Sequence, residues 1–200
     1  MNNKTTRKQR AEQHTRHTIL ISSVAILQTY GLKKFTMDKV AEQAGIAKGT
    51  LYLYFKNKNE LLLSVANHCF EPLNEDMRKI FSSEISILEK LKKYLSASFL
   101  HTEQNRALFY ELKAVLLTHV EKDFNDKNST YWEMINIVAR TFEDGVKKKL
   151  LRPMDCDKVA IFFIDSIDRA MARRIFTKVD DSAEDDAREL LNIYLHGLAL

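Results

Sequence analysis

Three features of the sequence predict an all-α chain. Gly and Pro are scarce, 5 and 2 in 200 residues, so there is little from which to build long coil or linker segments. Apolar residues recur at three- and four-residue intervals along most of the length, the period of a helix buried on one side. Between the periodic runs stand residues that start and stop helices, among them Thr36, Gly45 and Asn57.

The elements follow in order. Residues 2–8 are polar and read as a mobile arm. A first helix is expected over about 10–30, with Leu20, Val24 and Leu27 as its apolar stripe, widened by Ile19, Ile26 and Tyr30. Gly31 stands where a left-handed residue closes a helix. Thr36 is a good N-cap for a short second helix, Asp38 complements its dipole, and Gly45 stops it. A third helix over about 47–55 turns Leu51 and Phe55 inward, four residues apart. Asn57 with Glu60 resembles a capping box opening a fourth helix to about Phe81, which Pro72 should kink or interrupt. Further helices are expected over 84–100, 103–120 and 129–150. Arg152-Pro153 breaks the last of these, and helices over about 157–176 and 183–198 follow, separated by an acidic link. Residues 121–128 read as a polar connection.

Charge is distributed unevenly. Residues 1–62 carry 11 Lys/Arg against 4 Asp/Glu, whereas residues 63–200 carry 20 against 23. A basic N-terminal third on a slightly acidic body suits a head that binds a polyanion. This divides the chain into a head, 1–62 with its arm at 1–9, and a body, 63–200. Cys69 and Cys156 are far apart and form no CxxC pair, which fits a reducing cytoplasm and supports neither a disulfide framework nor a metal site. The run Thr18–Leu27 follows basic residues as a signal peptide would. It lacks a cleavage site, however, and Ser22, Ser23 and Gln28 interrupt it, so a soluble helix is expected there. No segment is long and apolar enough for a bilayer, so a cytoplasmic chain without a membrane partner is expected.

Two short helices about a turn at Ala44-Gly45-Ile46 make a helix-turn-helix pattern, whose second helix enters a major groove. Ala47 and Gly49 let its backbone approach the duplex, Lys48 supplies charge, and exposed amides at its start favour phosphate. Thr50 and Tyr52 offer hydroxyls to phosphates or base edges. Lys58 is placed for a backbone contact, and Tyr54 divides its prospects between packing and DNA. His14 and His17 lack a third ligand nearby and are read as solvated, so no metal site is expected.

The stretch TMDKVAEQAGIAKGTLYLYFKNKNELL, within residues 10–62, resembles the N-terminal module of the tetracycline-repressor (TetR) family, and KGTLYxYFKxKxEL is its specific signature. The resemblance implies an all-helical homodimer that regulates transcription. Such a protein is usually a repressor bound to double-stranded operator DNA and released by a small ligand in the C-terminal body. It also implies that Thr36, Lys48, Gly49, Thr50, Tyr52, Tyr54 and Lys58 touch DNA. Leu53 departs from the polar or aromatic residue common at its place and is left out of that set.

In the body, Phe99, Phe109, Leu112, Trp132, Phe163 and Ile167 are candidates to line a pocket for a small hydrophobic effector, although aromatic residues at helical spacing are more often core. Ile164, Asp168, Met171, Leu191 and Tyr194 are candidates for a dimer interface formed by the last two helices. Asp168 shares a face with Ile164, Met171 and Ile175, where a carboxylate needs a partner: Arg169, Arg173 or Arg174, or else a ligand. A nonspecific binder of nucleic acid or of an anionic surface would also have a basic head. An enzyme or hydrophobic-ligand carrier is a third possibility, but no nucleophile elbow, phosphate loop or metal-binding HExxH supports catalysis, and neither catalytic residues nor a cofactor are expected.

Overall fold

A computed structural model describes residues 2–112, 115, 125–177 and 181–198. Among these residues every regular element is helical. They comprise α1 (Asn2–Tyr30), a 3₁₀ turn (Leu32–Lys34), α2 (Met37–Gln43), α3 (Lys48–Tyr54), α4 (Lys58–Ser82), α5 (Ile87–Gln104), α6 (helical over 106–112 and at 115), α7 (Thr130–Lys147), α8 (Cys156–Phe176) and α9 (Ala183–Leu198). The chain divides into two compact units. One comprises residues up to Phe70 with the described part of 107–117, and the other comprises 71–106 with the described residues from 125 onward.

In the first unit α1 packs on α2, and α2 on α3. Its core joins Ile19, Leu20, Ile26 and Leu27 of α1 to Phe35, Val40 and Ala41, to Leu51 and Phe55, and to Leu61, Leu62 and Val65 of α4. Leu108 and Leu112 of α6 complete it. Ser23 lies on the same buried face and is tolerated because its hydroxyl donates to Ile19 O at 2.8 Å. Tyr30, expected inward, is instead exposed beneath the ammonium of Lys39, 5.6 Å from its ring centre. The expected arm over 2–8 is helical, continuous with α1, because no Gly or Pro interrupts a run rich in Lys, Arg and Gln.

The caps follow the expected chemistry. Thr36 Oγ1 accepts from Lys39 N–H at 3.3 Å. Asn57 Oδ1 accepts from Glu60 N–H at 2.9 Å, while the Glu60 carboxylate reaches back one residue further than expected, to Lys56 N–H at 2.8 Å. Gly45, at φ +65°, turns the chain between α2 and α3, and the backbone is closed by Ile46 N–H donating to Ala41 O at 3.0 Å. Pro72 does not interrupt α4. One missing amide removes one helix bond, which buried Val65 and Ala66 before it and Leu73 and Met77 after it outweigh.

In the second unit α5 packs on α8 and α9, and α7 on α8. A full capping box, Ser86 with Glu89, starts α5 three residues later than expected and holds the Glu89 carboxyl below its usual range. The helix then runs on to Gln104, so α6 begins after a turn at Asn105 and not at Glu103. Its expected continuation to 120 and the start of the 121–128 connection lie outside the described residues, apart from residue 115. α7 ends at Lys147, short of the expected 150, with Lys149 in the left-handed region. Asp155 caps α8 by accepting from Lys158 N–H at 3.0 Å. A buried cation ties three helices together: Arg174 of α8 lies 2.6 Å from Asp186 of α9 and 3.0 Å from Glu103 of α5. Tyr131 of α7 donates to Asp165 of α8 at 2.8 Å, and burial pushes its hydroxyl above the usual tyrosine range.

Candidate nucleic-acid interface

The orientation of α3 follows from two residues. Leu51 and Phe55 are fully buried, so on a helix turning about 100° per residue Gly49 and Leu53 fall on the opposite side and Tyr52 at its border. Lys48, one turn before Leu51, stays in solvent as the first residue of the helix. All four are exposed. Thr50 and Tyr54 lie on the flanks, half-buried, and Tyr54 packs against the core. Ala47 is exposed at the start of α3, and Thr36 is exposed while capping α2. The outward face therefore gathers Ala47, Lys48, Gly49, Tyr52 and Leu53, with Thr50 at its edge.

Lys48 is not a free cation. Its ammonium is 2.6 Å from Asp38 of α2, and that hydrogen bond holds its pKa above the ordinary lysine value. The pair spans the two helices of the motif at the surface, where a phosphate could exchange with the carboxylate at little cost. Behind the helix, Arg16 of α1 lies over the Phe55 ring, 4.5 Å from its centre, and donates to Ser64 Oγ at 3.2 Å. This bracing was not evident from spacing, because the partners are 39 and 48 residues apart.

Lys58 stands apart from the expected set. Its ammonium donates to Phe35 O at 2.7 Å and to Leu32 O at 3.4 Å, and it lies 5.4 Å from the centre of the Phe35 ring. Both carbonyls belong to the turn between α1 and α2, so Lys58 secures that turn with two of its three donors. The same turn is held by α6, where a Glu111 carboxylate oxygen accepts from Leu32 N–H. A lone glutamate 79 residues downstream carries no local signal of such a role.

The candidates of the body separate. Phe109 stacks on Phe70, with ring centres 4.5 Å apart, and Leu112 is in the core of the first unit; Phe99, Phe163 and Ile167 are buried in the second. Trp132 is half-buried under the Lys127 ammonium. Ile164, Met171 and Leu191 are buried within their own unit, as the apolar stripe of an amphipathic helix packed on its own domain would be. Asp168 does not share their burial but is exposed, and Arg173 and Arg174 pair with Asp186 and Glu103. Tyr194 is half-buried, its hydroxyl 3.0 Å from Ser166 Oγ and its ring against Phe163. Among the described residues the exposed large apolar side chains of α8 and α9 are Phe162, Phe176 and Ile193.

A braced helix-turn-helix with a bare, partly basic outer face, among described residues whose regular elements are all helical, is the arrangement of a DNA-binding transcriptional regulator. Residues 19–65 match the family model for bacterial regulatory proteins of the tetR family. The fatty acid metabolism regulator protein of Bacillus subtilis is 32% identical over 97 residues, 48% of this chain and 50% of that protein, so the chain spans half the length of this relative. The HTH-type transcriptional repressor KstR2 of Mycolicibacterium smegmatis is 30% identical over 140 residues, 68% of this chain and 67% of that one. Among solved structures, the regulator FadR from Bacillus subtilis in complex with stearoyl-CoA superposes with a TM-score of 0.67 at 20% identity, covering 90% of this chain and 98% of that chain, a likeness of fold. The chain belongs to the tetR family. Among the described residues no helix is long and apolar enough to cross a membrane.

Proposed function

We propose that the chain is a homodimeric repressor that binds a pseudo-palindromic operator through α3 and is released when a small hydrophobic molecule binds the body. The observation that carries the DNA reading is the outer face of α3. Ala47, Lys48, Gly49 and Tyr52 face outward while Leu51 and Phe55 anchor the helix from behind. A helix of seven residues is about 10 Å long and reads few base pairs, so two copies are needed for useful specificity. Phe162 and Phe176 of α8 and Ile193 of α9 supply the apolar surface for pairing α8 and α9 with their mates.

The effector is a hydrophobic molecule, and a long-chain acyl-CoA is the first probe to try, given the stearoyl-CoA complex of the fold neighbour from Bacillus subtilis. Binding in the body shifts the population between two spacings of the paired heads. The protein would act in the cytoplasm, where operator and acyl-CoA meet.

The test is competition between an operator-containing duplex and its scrambled counterpart at fixed salt. The operator should win by at least about 10³-fold, and Tyr52→Ala should remove that preference while leaving thermal stability unchanged. Equal affinity for both duplexes would instead mark a nonspecific basic-headed binder. Titration of stearoyl-CoA into the operator complex then asks whether the duplex is released.

A further inference from the structure

Leu53 is the most exposed large apolar side chain among the described residues, at 85% of its full accessibility, and it sits on the helix read as entering the groove. Exposed leucines are ordinary when scattered singly. The setting of this one is not. Gly49 is one helical turn earlier, and the two lie on the side of α3 opposite fully buried Leu51. A Cβ built at Gly49 would meet nothing within 4 Å. The glycine is therefore not needed to make room for any neighbour in this chain, and the space over it is open to an outside molecule. The outermost line of α3 is thus a bare turn followed by a projecting isobutyl group. Tyr52, 44% exposed, borders it on one side, with Lys48, paired to Asp38, beyond.

This line lacks an amide, carboxylate or guanidinium that could form a two-point hydrogen bond with a base edge. What it can recognise is shape and apolar surface. In the major groove of a duplex the one apolar group on a base edge is the 5-methyl of thymine. We propose that Leu53 is a specificity-determining residue that reads a thymine 5-methyl in each half-site, with Gly49 admitting the duplex close enough for that contact. The inference rests on the reading of α3 as the DNA-binding helix and adds to it the chemistry of one recognised position. The bare stripe over Gly49 and the basic head both favour a nucleic-acid occupant over a second protein chain.

The experiment begins with selection of binding sites from a randomised duplex library by the full-length wild type, by Leu53→Ala and by Leu53→Asn. Thymines of the wild-type consensus are then replaced one at a time by deoxyuridine, which lacks only the methyl group. Wild type should lose about fourfold in affinity at one symmetry-related position, the worth of one buried methyl-sized group. In Leu53→Ala the loss at that position should disappear while the other positions keep theirs, and Leu53→Asn should select a different base there. Because Leu53 touches little within the chain, both variants should melt with the wild type. An unchanged consensus and an unchanged deoxyuridine profile in Leu53→Ala would overturn the assignment, with the DNA reading left standing. Failure of the wild type to enrich any duplex, together with indifference to Lys48→Ala and Tyr52→Ala, would overturn the DNA-binding reading itself and the assignment with it.

Discussion

The turn between α1 and α2 is clasped from two sides, and removing one clasp has a calculable effect. Lys58 donates to the carbonyls of Leu32 and Phe35, and Glu111 accepts from Leu32 N–H. Gly31 begins the turn at φ +69° and ψ 174°, a combination that suits only glycine. A Cβ there would also lie 3.1 Å from the Glu111 carboxylate. A hydrogen bond to a charged acceptor contributes about 1.5–3 kcal/mol, and one to a neutral acceptor about 0.5–1.5 kcal/mol. Glu111→Ala should therefore cost about 2 kcal/mol and Glu111→Gln about 1 kcal/mol. Gly31→Ala should cost about 1–3 kcal/mol from backbone strain alone, plus the displacement of the carboxylate. In the Glu111→Ala background the displacement has already happened, so the two substitutions should fall short of additivity by about 1 kcal/mol. Urea denaturation of the four proteins of the cycle measures each quantity, provided the slope with denaturant stays constant. A Glu111→Ala protein within about 0.5 kcal/mol of wild type, with Gly31→Ala costing the same in both backgrounds, would show that the carboxylate does not hold the turn.

Other outcomes follow from the second unit and the cysteines. Asp186, 16% exposed, accepts from both Arg173 and Arg174, so Asp186→Ala should destabilise by about 2 kcal/mol, because buried Arg174 keeps only the wetter Glu103 as its carboxylate partner. Glu103, 41% exposed, bonds the same arginine from a wetter site, and Glu103→Ala should cost less than about 1 kcal/mol by the same denaturation assay. The hydrogen bond from Arg78 holds the Glu133 carboxyl below its usual range. Its small contribution is present above the unfolded carboxylate pKa and is lost as pH falls through the lower folded value. Glu133→Gln should accordingly flatten the acid limb of stability against pH, lowering neutral stability by that small amount and leaving stability in strong acid unchanged. Burial pushes the Cys69 thiol up to about 11 and also raises that of Cys156. At pH 7.5 both should alkylate with iodoacetamide more slowly than a free thiol, Cys69 the slower; rapid labelling of half-buried Cys69 in the folded protein would contradict its raised pKa.

Local chemistry settled much of this protein before any fold was in hand. Thr36 as a cap, Gly45 as a left-handed stop, Asn57 with Glu60 at the start of α4, and Leu51 with Phe55 as the anchors of α3 all depend on residues within five positions of one another. Backbone satisfaction and helical period act over that range, so their consequences are written in the order of residues. The outward placement of Gly49 and Tyr52 followed from the same arithmetic. Tertiary structure decided what local pattern could not. Lys58 sits one residue past a capping asparagine and looks exposed in sequence, yet its ammonium is drawn to two carbonyls more than 20 residues away. Glu111 and Arg16 acquire their roles in the same manner, from partners 39 to 79 residues distant, and Arg174 adds to nearby Asp186 a partner 71 residues away. The apolar stripe of α8 marked a buried face correctly but could not say which surface buries it. Hydrophobic burial is non-directional, and Ile164 and Met171 are spent on their own unit while Phe162 and Phe176 are left outward. Leu53 is the converse case. Its departure from the family pattern removed it from the candidates in sequence, and only its exposure, beside the open space at Gly49, returned it to the reading face.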